Sequence, residues 1–233
     1  MKICLIGLPR CGSQYISSLV KNTSTRMVNL GEPFTFSSET KCIELVNERI
    51  VLSDHLKFNN IQDQIIHTIS ILAKASTQSC VMKLFLLDYL EPYLPYIVGQ
   101  LTNLNFKFIV MTRENCEEQL LSFGIALATD KWNSHQGMYE QGDKIQVTHF
   151  GSMEWLHSQL CNFERLLDLI NSNPLGTVRY EHAVEDLSVI LQLPVDPTTN
   201  LQKQITGDPY EFVENANEVK EFIKKIINGT QIH

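Results

Sequence analysis

Residues 2–14 have the sequence KICLIGLPRCGSQ. The segment from Lys2 to Gly7 is a short apolar run of the kind that forms a buried strand. A turn over 10–13 follows, and after it Ile16, Leu19 and Val20 recur at the spacing of one helix face. A strand, a glycine-containing turn and a helix therefore succeed one another within about twenty residues, as in a phosphate-binding βα unit.

The rest of the chain continues this alternation of apolar runs and helical periodicity. The patterns predict strands over 26–30, 80–85, 106–111 and 176–180, and helices over 61–75, 86–93 or beyond, 121–128, 156–170 and 212–226. Alternating strands and helices predict an α/β fold with a mostly parallel central sheet flanked by helices on both faces. We find no repeat or linker, so residues 1–233 are expected to form a single domain.

The segment 130–150 is polar, contains glycines and lacks periodicity, which predicts a lid or acceptor-binding loop. Trp132, Tyr139 and Phe150 either line an acceptor site there or anchor the segment by packing.

Composition excludes several broad classes of function. The formal net charge of −7 is unlike that of a general nucleic-acid surface. The chain has no apolar run of about 20 residues that could span a membrane and no secretory signal pattern at its start, so we expect a cytoplasmic protein. The six cysteines are far apart in sequence, which predicts reduced core thiols and no metal site.

The glycine loop, residues 7–13, has the G-x-x-x-x-G spacing of a Walker A loop. Ser13 and Gln14 occupy the places where that loop has Lys and Ser or Thr, and the cation is Arg10 instead. This departure disfavours magnesium–triphosphate chemistry and favours a terminal, phosphate-like group. A strand–turn–helix corner that binds no ligand is the alternative.

The sequence Gly-Leu-Pro-Arg-Cys-Gly-Ser resembles the 5′-phosphosulfate loop of sulfotransferases, G-x-P-[RK]-[ST]-G-[ST]-[ST], and is most similar to the bacterial nodulation and trehalose branch. The resemblance implies a P-loop-NTPase-like three-layer sandwich and the donor 3′-phosphoadenosine 5′-phosphosulfate. Cys11 and Gln14 depart from the pattern, since each replaces a hydroxyl residue. The implied donor-binding residues here are Pro9, Arg10, Cys11, Gly12, Ser13, Gln14 and Tyr15.

Later segments extend the resemblance. Arg113 and Ser122 match the arginine at a strand end and the serine one helical segment later, which bind the 3′-phosphate in the family. Tyr180 resembles a tyrosine near the adenine, and Lys203 a late lysine near the nucleotide. Taken without the family, Arg113 could be a surface ion-pair residue and Lys203 a solvated side chain.

By the same resemblance, Arg10 and Glu32 are the expected catalytic residues. Arg10 would stabilise the transferring sulfuryl group, and Glu32, in the segment Gly31-Glu32-Pro33-Phe34, would be the base that activates a hydroxyl or amine acceptor. Alternatively, Glu32 caps a turn before Pro33, and His135 is a rival base. The expected partner is a small-molecule or carbohydrate acceptor, and no metal is expected.

Two other functions stay open at this point. A P-loop kinase of a small metabolite would share the βα opening, and the missing Lys-[ST] pair separates it from a sulfotransferase. A non-catalytic nucleotide-binding protein would account for Cys11 and Gln14.

Overall fold

The computed structural model describes residues 1–24, 27–35, 42–46, 49–53, 58–75, 78–132, 144–169, 174–198 and 208–229. The strands in these residues are β1 Lys2–Gly7, β2 Val28–Asn29, β3 Cys42–Val46, β4 Arg49–Ser53, β5 Cys80–Phe85, β6 Lys107–Thr112 and β7 Gly176–Arg179. The α-helices are α1 Ser13–Asn22, α2 Ile61–Lys74, α3 Leu94–Asn103, α4 Cys116–Thr129, α5 Phe150–Cys161, α6 Phe163–Leu169, α7 Ala183–Leu191 and α8 Ala216–Gly229.

Within the described residues, five strands form the main sheet in the order β2-β5-β1-β6-β7, and every paired strand is parallel to its neighbour. The central strand, β1, is buried along its whole length. Since parallel strands all point the same way, their carboxyl ends lie at one edge of the sheet. The segments that begin with Leu8, Leu30, Leu86, Arg113 and Tyr180 therefore leave the sheet at this edge.

Helices cover both faces of the sheet. In β1, Ile3 and Leu5 belong to a buried cluster that includes side chains of α1 and α7, whereas Cys4 and Ile6 belong to a second cluster with side chains of α2, α3, α4, α5 and α8. This alternation reflects the two-residue period of a strand between two apolar layers. The predicted α/β fold, a parallel sheet flanked by helices, is confirmed.

A two-stranded antiparallel hairpin, β3–β4, lies outside the main sheet and was not predicted. Its buried residues Ile43 and Ile50 join the core cluster on the α2 face, while Val46 and Val51 are exposed. Charged residues such as Glu44 and Arg49 interrupt the apolar pattern, so the sequence carries only a weak strand signal here.

Two predicted helices differ from the structure at their ends. The helix predicted over 156–170 begins earlier, at Phe150, and is divided into α5 and α6 around Asn162, whose side chain donates to the carbonyl of Ser158 at 2.9 Å. The closing helix begins at Ala216 and not at 212, because residues 209–212 form a single 3₁₀ turn that starts with a proline.

Most of the predicted loop over 130–150 lies outside the described residues. In the described part of the chain, no helix is long and apolar enough to cross a membrane.

Candidate functional site

The glycine loop connects β1 to the first turn of α1 and contains two left-handed residues, Arg10 with φ +65° and Gly12 with φ +77°. Gly12 is the N-cap of α1, where no side chain caps the helix, and the first turn of α1 contains no acidic residue. The first backbone N–H groups of a helix have no partner within it, and the helix dipole is positive at this end. The loop is therefore suited to an anion.

The ring of Tyr180 explains why residue 12 is a glycine. A Cβ atom at Gly12 would lie 2.0 Å from Cδ2 of Tyr180, a distance that no side chain could accept. Tyr180 also contacts Tyr15 in an edge-to-face arrangement, with the ring centroids 6.0 Å apart. The end of β7 is therefore packed directly on the glycine loop.

The side chain of Arg10 contacts helix α4 and the segment that follows it. The Nε atom of Arg10 donates to Oγ of Ser122 at 2.9 Å, and its Nη1 atom donates to the carbonyl of Trp132. The structure thus brings together two residues that the sequence assigned to opposite ends of the nucleotide. The side chain of Arg10 lies next to the predicted 3′-phosphate residue Ser122.

Gln119, which the sequence analysis missed, contacts the same loop. It is 1% exposed, and its Nε2 atom donates to the carbonyl of Pro9 at 2.8 Å. Its Oε1 atom is buried with no hydrogen-bond partner among the described residues. Gln119 lies three residues before Ser122, so both project from one face of α4. Gln119 directly follows Glu117 and Glu118, so the sequence carried no signal that it is buried.

Arg113 is the most buried cation near the loop, with a side chain 7% exposed. Its Nη1 atom donates to the carbonyl of Arg10 at 3.2 Å, and its guanidinium carbon lies 4.9 Å from the centroid of the Tyr180 ring. Its Nη2 atom lies 2.7 Å from Oε1 of Glu118. The Nε atom is buried and has no hydrogen-bond partner in the described part of the chain.

Glu181 is the second carboxylate beside Arg113, with its Oε1 atom 4.0 Å from Nε of the arginine. It accepts hydrogen bonds from the backbone N–H groups of Glu114 at 3.1 Å and Asn115 at 3.4 Å. Burial alone would raise the pKa of Glu181, but these hydrogen bonds and the charge of Arg113 lower it overall. Glu181 is therefore ionised at neutral pH.

Glu32, the expected base, forms an ion pair with Lys83. The Nζ atom of Lys83 lies 2.7 Å from Oε1 of Glu32. Lys83 is buried in β5, and its backbone N–H donates to the carbonyl of Gly31 at 2.8 Å. The sequence analysis missed Lys83, although a lysine within the apolar run of β5 was a readable signal.

Cys11 is buried within the glycine loop. Burial raises the pKa of its thiol to about 12, while Lys83 and, more weakly, Arg113 act to lower it. The thiol stays protonated at neutral pH, because burial outweighs them.

The sequence-based site residues are thus distributed as follows. The loop residues 9–15, Arg113, Ser122 and Tyr180 lie together, and Glu32 is held by Lys83. Lys203, His135 and Tyr139 lie outside the described residues.

Trp132 and Phe150, in the segment 130–150, each contact another aromatic ring, and Trp132 remains 38% exposed. The ring of Trp132 contacts Phe123, with the centroids 6.0 Å apart, and its indole N–H donates to Asp130. The ring of Phe150 lies 4.8 Å from that of Phe222. For Phe150 this contact is that of a packing anchor.

The residues present fit two separate anionic groups. The uncapped N-terminus of α1 with Arg10 offers one anion position, and the unpaired Nε atom of Arg113 offers a donor for another. In the described part of the chain, no group of three or more His, Cys, Asp or Glu side chains could hold a metal ion.

No protein-family model and no curated protein matches the chain. Among solved structures, the sulfotransferase domain from the curacin biosynthetic pathway is similar, with 13% sequence identity and a TM-score of 0.41, over 100% of this chain and 98% of that one. A likeness of this degree does not by itself assign an activity.

Proposed function

We propose that the chain is a sulfotransferase that moves a sulfuryl group from 3′-phosphoadenosine 5′-phosphosulfate to a hydroxyl or amine acceptor. The observation that carries the proposal is the contact between two arginines, in which Nη1 of the buried Arg113 donates to the carbonyl of Arg10 at 3.2 Å. The guanidinium of Arg113 therefore lies against the backbone of the glycine loop, so an anion at Arg113 would adjoin an anion at the loop, as in a nucleotide with a 5′-phosphosulfate and a 3′-phosphate.

In this proposal the N–H groups at the start of α1 and the side chain of Arg10 hold the 5′-phosphosulfate. Arg113 and Ser122 hold the 3′-phosphate, and Tyr180 and, by resemblance, Lys203 lie near the rest of the nucleotide. Cys11 contributes only its backbone, because its thiol is neutral and buried.

The reaction would be an in-line transfer. An oxygen or nitrogen atom of the acceptor forms a bond to sulfur, while the bond between sulfur and the bridging phosphate oxygen breaks. Charge develops on the leaving adenosine 3′,5′-bisphosphate, where Arg10 stabilises it electrostatically. Arginine stays protonated, so it acts as a fixed charge and not as a proton donor.

Glu32 takes the proton of the acceptor. Lys83 holds the carboxylate of Glu32 in place, with Nζ 2.7 Å from Oε1. We expect Glu32→Gln to lower kcat by about 10²- to 10⁴-fold. The variant should bind adenosine 3′,5′-bisphosphate with unchanged affinity, which calorimetry would check. Full kcat in this variant would show that another group is the base.

Binding of the donor is tested by calorimetry with adenosine 3′,5′-bisphosphate and with ATP–magnesium. We expect the bisphosphate to bind without metal and to bind more tightly than ATP–magnesium. Arg113→Ala should weaken the bisphosphate while leaving adenosine 5′-monophosphate unaffected. Selective binding of ATP–magnesium would instead support a small-metabolite kinase.

The burial of Cys11, where the family pattern has a hydroxyl, favours a second candidate, a nucleotide-binding protein without catalysis. An assay of labelled sulfate across alcohol, carbohydrate and amine acceptors separates the two. Transfer to any acceptor class supports the enzyme, whereas bisphosphate binding without transfer or donor hydrolysis supports the binding protein.

The proposal takes residues 1–233 as one domain. All six cysteines are free thiols, in keeping with a reducing compartment such as the cytoplasm.

A further inference from the structure

We propose that Glu118 competes with the 3′-phosphate for Arg113 and so sets how strongly the protein selects nucleotides that carry this phosphate. The inference rests on the proposed function, because it concerns the same nucleotide. It assigns to Glu118 a role that differs from simple structural support.

The contacts of Arg113 carry the first step. A guanidinium binds a phosphate or carboxylate best through two parallel N–H groups along one edge. One edge, Nε with Nη2, has Glu118 at 2.7 Å from Nη2 and Glu181 at 4.0 Å from Nε. The other edge includes Nη1, which donates to the carbonyl of Arg10 at 3.2 Å. A phosphate therefore finds an acceptor already present at each edge.

The unpaired Nε atom identifies the edge that a ligand would use. Nε is buried without a hydrogen-bond partner in the described residues, and a buried donor of this kind is costly unless something else satisfies it. An anion that accepts from both Nε and Nη2 would satisfy it. Such an anion would have to take the place of Glu118 at Nη2.

Backbone contacts indicate which carboxylate is held in place. The two side chains are about equally exposed, Glu118 at 30% and Glu181 at 28%. Glu181 is fixed by two backbone N–H groups, those of Glu114 and Asn115. Glu181 is therefore a permanent negative charge beside the site, and the carboxylate that an anion would displace from Nη2 of Arg113 is that of Glu118.

The charges make coexistence unfavourable. A 3′-phosphate that reached Arg113 while Glu118 remained would place two anions on one mostly buried guanidinium, with Glu181 a third close by. Like charges at such distances repel strongly where water is largely excluded. Binding of the phosphate therefore requires Glu118 to leave Arg113. The apparent affinity for the phosphate equals the intrinsic affinity multiplied by the fraction of molecules in which Glu118 has already left Arg113.

The test compares adenosine 3′,5′-bisphosphate with adenosine 5′-monophosphate by calorimetry in the full-length chain. The two ligands differ in the 3′-phosphate alone, so the ratio of their dissociation constants reports on Arg113. Glu118→Gln removes the competing charge but keeps the size of the side chain. We expect it to raise the preference for the bisphosphate by about tenfold, without changing the affinity for the monophosphate.

Glu117→Gln is the matched control. Glu117 precedes Glu118 on α4 and has the same charge, but its carboxylate accepts a hydrogen bond from the hydroxyl of Tyr210 at 2.8 Å. Its substitution removes a negative charge from the same turn, so a general effect of local charge would appear in both variants. We expect no change in preference for Glu117→Gln.

The outcomes separate this inference from the proposed function. A gain of preference in Glu118→Gln alone supports competition. If the wild-type protein prefers the bisphosphate and Glu118→Gln leaves that preference unchanged or weakens it, Glu118 is a bystander or a support for Arg113, and only this inference is overturned. If none of the proteins binds the bisphosphate, both the inference and the proposed donor are wrong. Circular dichroism and thermal unfolding confirm that each variant is folded.

Discussion

At the scale of single residues, the space next to Gly12 restricts which side chains the glycine loop can accommodate. Gly12 has φ +77°, and Tyr180 occupies the space that a side chain there would need. Gly31, next to Glu32, has a similar φ of +63°, but an added Cβ atom there would meet nothing within 4 Å. The two glycines therefore separate the cost of the backbone conformation from the cost of a clash.

We expect Gly12→Ala to lower the free energy of unfolding by about 3 kcal/mol, from the left-handed backbone and from overpacking against Tyr180 together. Gly31→Ala should cost only about 1 kcal/mol, because the backbone term acts alone. Urea unfolding of both variants measures the difference. Equal losses would mean that Tyr180 moves aside at no cost.

At the scale of secondary-structure elements, α4 supports the glycine loop through polar contacts. Gln119 donates to the carbonyl of Pro9, and Ser122 accepts from Arg10. The N-cap Asn115 accepts from the backbone N–H of Glu118 at 2.9 Å, which defines where the helix begins. The helix therefore joins the loop to the site around Arg113.

Gln119→Met tests this support, because it keeps the length of the side chain and removes the hydrogen bond to Pro9. We expect the affinities for adenosine 5′-monophosphate and adenosine 3′,5′-bisphosphate to fall together, by about tenfold, since the bond acts on the loop and not on the 3′-phosphate. Calorimetry gives both values.

Gln64→Met is the control for the loss of a buried glutamine. Gln64 is also buried, but it donates to the carbonyls of Pro33 and Thr35 at 2.9 and 3.1 Å, away from the glycine loop. We expect it to lower stability and to leave nucleotide affinity unchanged. A fall in nucleotide affinity of the same size in both variants would contradict a specific role for Gln119.

The contact between β7 and α7 predicts how stability responds to acid. Arg179 donates to Asp186 through its backbone N–H at 2.9 Å, Nε at 3.0 Å and Nη2 at 2.8 Å. The side-chain hydrogen bonds from Arg179 lower the pKa of Asp186 in the folded state. The resulting stabilisation is complete above the unfolded-state pKa of about 4 and is lost as the pH falls through the lower, folded-state pKa.

We therefore expect Asp186→Asn to be less stable than the wild-type protein at pH 7 and to lose less stability on acidification. Unfolding by urea from pH 7 down to pH 3 measures both slopes. Glu221→Gln on α8, which removes an exposed ion pair with Lys224, should keep the wild-type slope. Parallel slopes for Asp186→Asn and the wild-type protein would contradict the prediction.

At the scale of the whole molecule, the site joins elements that are distant in sequence. The loop after β1, helix α4 after β6 and the turn after β7 contact one another at the carboxyl edge of the sheet. A ligand that bridges Arg10 and Arg113 would therefore stabilise the native arrangement of the sheet, and not one loop alone.

We expect adenosine 3′,5′-bisphosphate at a hundred times its Kd to stabilise the folded protein by about 2.7 kcal/mol. For a chain of this length that corresponds to a rise in Tm of about 5–10 °C, which scanning calorimetry would measure. Arg113→Ala should show a much smaller rise at the same ligand concentration. An equal rise in that variant would mean that the bisphosphate binds elsewhere.

The sequence alone was sufficient for the main architecture. Strands β1 and β5, the start of α1 and the extent of α2 were predicted to within a residue, because buried parallel strands and amphipathic helices have strong local patterns. Arg10, Arg113, Ser122 and Tyr180 were named from spacing and resemblance, and the structure brings them together. The hairpin β3–β4 and the break at Asn162 were missed, since tertiary packing outweighs weak local signals there.

The glycine loop between β1 and α1 was visible from residues 2–14 alone, because a buried strand, a glycine turn and a helix are encoded locally. Only the tertiary structure decided what surrounds it. The pairing of Glu32 with Lys83 and the hydrogen bond from Gln119 to Pro9 depend on parallel strands that bring distant segments to one edge. Spacing in the sequence carries no record of such contacts, because they arise between residues of different elements.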